Sequence, residues 1–241
     1  MLAALACGCG AIRIQPEPKL PHALIEPLPA DVALVLPREL RDYRHKETRW
    51  DADWVVELGP GDVSLMQQIF TAEFRHVAEY KDLAAARAAA GVQGVFEPLI
   101  DQYSFLTAND TGGRYYAATI RYRINLYTPQ GERCDTLTLT GYGSALAKGM
   151  SSGHPLEAAT LAAMRDAAAK FLVQFPEQPA GLRLAHGEAL ALAPAASSAD
   201  ASHIDAVPIE EEPAAEGAAP AAQPAAPKTG AAASTGAAPA A

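Results

Sequence analysis

Two thiols near the amino terminus carry the clearest chemistry in this chain of 241 residues. Cys7 and Cys9 follow the apolar run Met1-Leu2-Ala3-Ala4-Leu5-Ala6, with Gly8 between them. Small residues ahead of a cysteine, at the end of an apolar stretch, match the cleavage region of a secretory signal. A cysteine left at the new amino terminus can take lipid through its sulfur. Cys7, preceded by Leu5 and Ala6, is the first choice for that modification, and Cys9 is the alternative. The basic segment that opens a full signal is missing and the apolar stretch is short, so the run reads as the end of a longer signal. The CxC spacing has no matching Cys or His pair at a zinc-type distance, so no metal is expected there.

The remaining reactive residues are weaker candidates. Ser152 and His154 could act as nucleophile and base in a hydrolase, but no acid stands out to orient the imidazole. His154 precedes Pro155, which also suits a helix cap. The six histidines (His22, His45, His76, His154, His186 and His203) are scattered, and no pair has an HExxH spacing. There is no GxSxG elbow and no P-loop. Gly141-Tyr142-Gly143-Ser144 lacks the strand-then-helix context that cradles phosphate and reads as glycines at a strand end or bulge. The expectation is a protein that is not an enzyme and holds no cofactor. Arg121 and Arg123 lie on the wet face of a strand. They either pair across strands, opposite Asp135 or Thr138, or form a face that receives a partner protein. Cys134 reads as a small strand residue, with a Cys9–Cys134 bridge as the one pairing an oxidising compartment would allow.

The elements that must position these residues follow from periodicity. Val32–Leu36 and Trp54–Leu58 read as buried strands, with the charged stretch Arg38–Asp53 as an exposed excursion between them. Asp62 is placed to cap a helix whose apolar face runs Leu65, Ile69, Phe70, Phe74 and Val77, while Gln67, Gln68, Glu73 and Arg75 face water and His76 sits on its surface. Ala78–Tyr80 reads as a brief strand and Leu83–Ala90 as a short helix. Val95–Leu106 reads as a strand. In Tyr116, Ala118, Ile120, Tyr122, Ile124 and Leu126 every second residue is apolar, which marks a strand with one buried face. The Pro129–Glu132 turn returns it as Arg133–Leu146, an antiparallel hairpin. A last helix opens at Pro155, with Leu161, Met164, Ala168, Phe171, Leu172 and Phe175 as its stripe and small residues such as Ala163 and Ala167 allowing close approach to a sheet. The order implies an α+β fold: a mostly antiparallel sheet packed on one face by two main helices.

Domain boundaries follow from composition. Residues 1–10 hold the signal remnant and lipid site, and 11–29 form a Pro-rich spacer that favours extended geometry and holds the body off the bilayer. Residues 30–176 form the folded domain. Residues 177–241 are Ala- and Pro-rich, short of large apolar side chains, and read as a disordered tail. A net charge of −9, from 19 Lys+Arg against 28 Asp+Glu, excludes non-specific nucleic-acid binding.

With the Cys7/Cys9 region and the Val32–Phe175 element order placed, the chain resembles small bacterial lipoproteins with periplasmic α+β domains. Among these it is similar to the auxiliary lipoproteins of ABC-type lipid-transport systems and to envelope-assembly lipoproteins. The resemblance implies a membrane-anchored accessory or assembly factor that binds envelope proteins. As an alternative it implies an auxiliary subunit that handles phospholipid in an apolar groove beside the two helices. It implies no catalytic residues. Gly8 after Cys7, where an acidic residue would mark inner-membrane retention, implies the outer membrane, with the body facing the periplasm.

Overall fold

The chain enters the fold through a segment that alternates in burial. Ile12, Ile14, Pro16, Pro18 and Leu20 turn inward while Arg13, Gln15, Glu17 and Lys19 face water, an extended strap with strand period. The computed structural model describes residues 11–148 and 154–192. The first strand, β1 (Ile12–Ile14), lies parallel to β4 (Ala52–Glu57), with Ile12 opposite Trp54. The spacer expected over residues 11–29 is thus part of the body through Leu20. Alternate apolar residues give it a face worth burying, and proline is tolerated where no ladder hydrogen bond is needed from its nitrogen.

Between these strands come β2 (Leu28–Val35), the single turn α1 (Arg38–Arg41) and β3 (Arg44–Arg49). The charged excursion expected over Arg38–Asp53 therefore contains a strand, antiparallel to β4. Its inward positions are polar but partnered: His45 Nε2 lies 3.1 Å from Glu47, and Arg49 Nε donates to Glu47 at 2.8 Å. The His45 ring also meets Tyr103 edge-on at 5.1 Å. Together β1, β4 and β3 form a small three-stranded sheet.

The long helix α2 (Gly59–Glu73) buries Leu65, Met66, Ile69 and Phe70. It starts three residues before the expected cap, so Asp62 sits inside its first turn and points into the core. It also ends earlier than expected, at Glu73, and the chain passes directly into the strand β5 (Phe74–Tyr80). Phe74 and Val77 continue the apolar pattern as strand residues, because β5 pairs along β2 from Leu28–Phe74 to Val35–Tyr80. His76 accordingly lies on a strand, beside Asp31 at 3.0 Å. After the short helix α3 (Leu83–Arg87) come β6 (Gly94–Leu106), β7 (Tyr115–Tyr127) and β8 (Arg133–Leu146).

The large sheet has the order β5-β2-β6-β7-β8. As expected the fold is α+β, and the sheet is mixed rather than purely antiparallel: β2 is parallel to both β5 and β6, while the longer ladders of β6, β7 and β8 are antiparallel. The reason lies in the connections. Parallel neighbours need a crossover, which the segments carrying α2 and α3 supply, whereas the Thr128–Glu132 turn is short enough for a hairpin. The helix α4 (Pro155–Gln174) joins α2 on one face of this sheet, as expected, and α3 covers part of the other face with Ala33, Val35, Ala86 and Val95. A cluster of phenylalanines fills the space under the two helices. Phe70 and Phe171 are 5.1 Å apart, Phe171 stacks on Phe175 at 5.1 Å, and Phe70 meets Phe96 at 5.2 Å. Such pairs add about 0.5–1.5 kcal/mol each to the burial of their area.

Gly141 and Gly143 are strand residues facing α4 and not the end of a strand. A Cβ at Gly141 would overlap the Ala163 carbonyl oxygen, and one at Gly143 the Ala159 carbonyl oxygen. They let the helix backbone lie directly on β8. The same helix covers part of the outer edge of β8. The Tyr142 amide donates to Asp166 Oδ2 at 2.9 Å, and Lys170 Nζ donates to the Thr140 carbonyl at 2.7 Å. Covering an edge with charged side chains discourages strand addition there.

The tail expected from residue 177 begins later. A 3₁₀ turn at Phe175–Glu177 leads into α5 (Pro179–Ala185), which buries Ala180 and Leu184, and Leu190 is buried beyond it. Leu184 and Leu190 are the large apolar side chains that draw this stretch onto the body. The Ala/Pro-rich residues 193–241 lie outside the described residues, as do residues 1–10 with Cys7 and Cys9.

Candidate functional site

The site is a groove between α2 and α4, closed on one side by the amino-terminal strap. Gln68 on α2 holds the strap in place with both ends of its amide: Nε2 donates to the Pro18 carbonyl at 3.1 Å, and Oε1 accepts from the Leu20 amide at 3.1 Å. Gln68 was expected to face water; it instead satisfies backbone groups that proline-rich chain cannot pair with itself. Gly61 permits the crossing, since a Cβ there would overlap the Pro16 carbonyl oxygen.

Beyond this clamp the strap residues 20–23, the α2 residues Ser64, Gln67, Thr71 and Ala72, and the α4 residues Arg165, Ala168, Ala169 and Leu172 enclose a cavity of about 700 Å³. That lies inside the range of roughly 300–1,000 Å³ typical of ligand pockets. The α4 wall is shallow where Ala168 and Ala169 form its middle. Arg165 is the one fixed charge in the lining, and it is exposed. A second cleft of about 390 Å³ runs along the strap itself, sharing Leu20, Ser64 and Gln68 with the first.

Beneath the groove, α2 carries two carboxyl groups into the core. Asp62 is fully buried and its Oδ1 accepts from the Tyr122 hydroxyl, while Oδ2 has no partner among the described residues. Burial pushes its pKa up to about 7, against the lowering effect of the tyrosine hydrogen bond. Glu73 is 1 % exposed and neither oxygen has a partner among the described residues. Burial pushes it up to about 8, and its place at the last residue of α2 adds the negative end of the helix dipole in the same direction. Both groups belong to the core and are not part of the groove lining.

Arg121 and Arg123 do share one face of β7. The acid beside them is Asp101, at the β-bulge in β6, and not Asp135, which pairs in register with Leu126. Arg121 Nε donates to Asp101 Oδ2 at 2.9 Å, and Arg123 Nη2 stands 3.9 Å from Oδ1. Exposed ion pairs contribute little. Asp101→Ala is expected to change stability by less than about 0.5 kcal/mol in urea unfolding.

His154 caps α4: its Nδ1 accepts from the Leu156 amide at 3.1 Å. Burial pushes its imidazole down, which keeps the neutral acceptor form, although Glu157 opposes this. Ser152 lies outside the described residues. Cys134 is half-buried and its thiol donates to the Leu126 carbonyl at 3.4 Å; burial pushes its pKa up. Among the described residues no three His, Cys, Asp or Glu side chains stand close enough to hold a metal ion, and no helix is long and apolar enough to cross a membrane.

No protein family and no curated protein matches the sequence. Solved structures overlap it in part. The lipoprotein GNA1162 from Neisseria meningitidis is similar at 12 % identity and a TM-score of 0.29, over 52 % of this chain and 89 % of its own. A neuraminyllactose-binding hemagglutinin homolog from Helicobacter pylori is similar at 10 % identity and a TM-score of 0.40, over 71 % and 97 %. The hypothetical protein CT253 from Chlamydia trachomatis is similar at 12 % identity and a TM-score of 0.29, over 66 % and 92 %. Scores of this size mark a partial overlap of elements, and nothing of what these proteins do passes to this chain.

Proposed function

We propose that the protein is a non-enzymatic lipoprotein of the bacterial envelope, held in the outer membrane by an acylated Cys7 or Cys9 and facing the periplasm. It works as an accessory or assembly factor by binding, and the groove between α2 and α4 is its binding element. The observation that carries the binding role is that groove: an apolar cavity of about 700 Å³ walled on one side by a strap that Gln68 holds through both ends of its amide. An exposed apolar concavity rimmed by polar groups is where a soluble body takes a ligand.

A second reading is favoured by the size of the lining. Thirteen residues surround the cavity, fewer than the roughly 20–30 a side of a stable protein interface. An acyl chain suits the alanine wall, and Arg165 suits an anionic head group. The protein would then be an auxiliary lipoprotein of an ABC-type lipid-transport system, with phospholipid as its cargo.

The two readings separate on one preparation. The full chain, extracted from its own membrane with a photo-crosslinking amino acid at position 169, is expected to yield either a crosslinked envelope protein or a crosslinked phospholipid. With the crosslinker kept at position 169, Thr71→Arg on the facing α2 wall is expected to abolish the product while shifting stability by about 0.5 kcal/mol or less, because the site is an exposed helix position. Absence of both products from the parent chain would remove the groove from the account.

A further inference from the structure

The turn between β3 and β4 contains one residue that rarely makes such a turn. Trp50 and Asp51 have φ of 53° and 54°, in the left-handed region that glycine, asparagine and aspartate normally fill in a two-residue hairpin. Trp50 is a bulky aromatic in that conformation, and it is 60 % exposed. Its indole is nevertheless fixed: Nε1 donates to Asp110 Oδ1 at 2.9 Å. Asp110 is itself held by the Thr107 amide at 2.7 Å and by Arg49 at 3.1 Å. A side chain held rigidly in water on a strained backbone gains nothing for the fold that a smaller residue would not supply.

The topology says what lies on that side. β1 runs parallel to β4 with Ile12 opposite Trp54, so β1 begins at the end of the small sheet that carries the Trp50-Asp51 turn. A chain rises at most about 3.3–3.6 Å per residue. The α-carbon of Cys9 is therefore within about 11 Å of that of Ile12, and that of Cys7 within about 18 Å. The turn projects past the Ile12–Trp54 pair by some three residues of strand, roughly 10 Å. For Cys9 that reach about equals the distance by which the turn overhangs the pair, and for Cys7 it exceeds it by about 8 Å. A lipid on either cysteine brings this end of the body to the surface of the bilayer.

Apolar groups gather at the same end. Leu106 closes β6 just before the loop that carries Asp110, and it is 42 % exposed. Leu146 pairs with Tyr115 at the far end of β8 and is 69 % exposed. The exposed acids Asp51 and Asp53 are balanced by the exposed cations Arg114 and Lys148, and the exposed Asp110 is paired with Arg49. The surface is thus neutral, with an indole at its tip. Tryptophan with a hydrogen-bonded nitrogen and an apolar ring settles at the head-group level of a membrane.

We infer that the Trp50 turn is a membrane-contact element, which seats the body directly on the lipid interface and fixes its orientation there. This rests on the lipid anchor proposed above. The occupant is a phospholipid bilayer, and the contact is apolar, without need of anionic lipid.

The test uses the full lipidated chain in phosphatidylcholine vesicles with and without bromine on the acyl chains. Flotation reads the anchor, and tryptophan quenching reads the contact. The expected result is that the protein floats, that emission falls in the brominated vesicles, and that the fall disappears in Trp50→Phe, which leaves only the buried Trp54. Quenching that persists in Trp50→Phe would overturn the inference. So would floating protein with unquenched emission, and that measurement on the parent chain needs no variant to fold. Protein that fails to float overturns the anchor, and the orientation with it.

Discussion

Glu73→Gln raises the stability of the protein at pH 8 and leaves it nearly unchanged at pH 4.5. Glu73 is buried without a partner among the described residues and its pKa is raised to about 8. In the unfolded chain it ionises near its ordinary value of 4.5. Between these values the folded state binds the extra proton, so stability falls as pH rises, by about 1.4 kcal/mol per unit for one such group. Below pH 4.5 both states are protonated and the group contributes nothing. Asp62, raised to about 7, adds a fall of the same sign between pH 4 and 7. The parent chain is therefore most stable in mild acid, and the variant recovers on the order of 4 kcal/mol at pH 8. Urea unfolding across pH 4.5–8 reads this directly. A parent chain whose stability climbs toward pH 8 would contradict the buried, unpaired carboxyls.

Phe171→Ala costs about 3–5 kcal/mol. Phe171 is fully buried and meets both Phe70 and Phe175 at 5.1 Å. Its loss opens a cavity between α2 and α4 that the remaining rings cannot fill without leaving their rotamers. The groove is formed by the outer surfaces of the same two helices, so the variant should also lose whatever the groove binds once α4 shifts. Thermal unfolding checks the first effect, and crosslinking from position 169 checks the second. A change below about 1 kcal/mol would mean that the helices are not held together by this cluster.

The hairpin and the last helix were legible because each has one dry and one wet face. Ile120, Tyr122 and Ile124 alternate with Thr119, Arg121 and Arg123, and the stripe through Met164, Ala168 and Phe171 repeats at helical spacing. β3 was hidden because its inward residues are His45, Glu47 and Arg49, which neutralise one another and leave no apolar signal. The strap is masked in the sequence because Pro16 and Pro18 suggest a free spacer. Yet Ile12, Ile14, Pro16, Pro18 and Leu20 keep a two-residue period, and that period was available in the sequence. The parallel pairing of β2 depends on which strands the crossovers bring together, a long-range choice that local pattern does not encode.

The groove itself has no local signature. It joins residues near 20, near 68 and near 168, and each stretch reads separately as loop or helix surface. Asp62 stands near a helix start, where a carboxylate is usually a cap, yet the structure turns it into the core. Tyr122 fell on the buried face of its strand by period alone, but nothing in that period shows that its hydroxyl reaches Asp62.

The proposed anchoring depends on a lipid-bearing cysteine a few residues ahead of β1. Mass spectrometry of the amino-terminal peptide, released from protein extracted out of its own envelope, tests this most directly. The account predicts a peptide that starts at Cys7 or Cys9 and carries the added mass of acyl chains. A free thiol at both positions, with the preceding residues still attached, would contradict it.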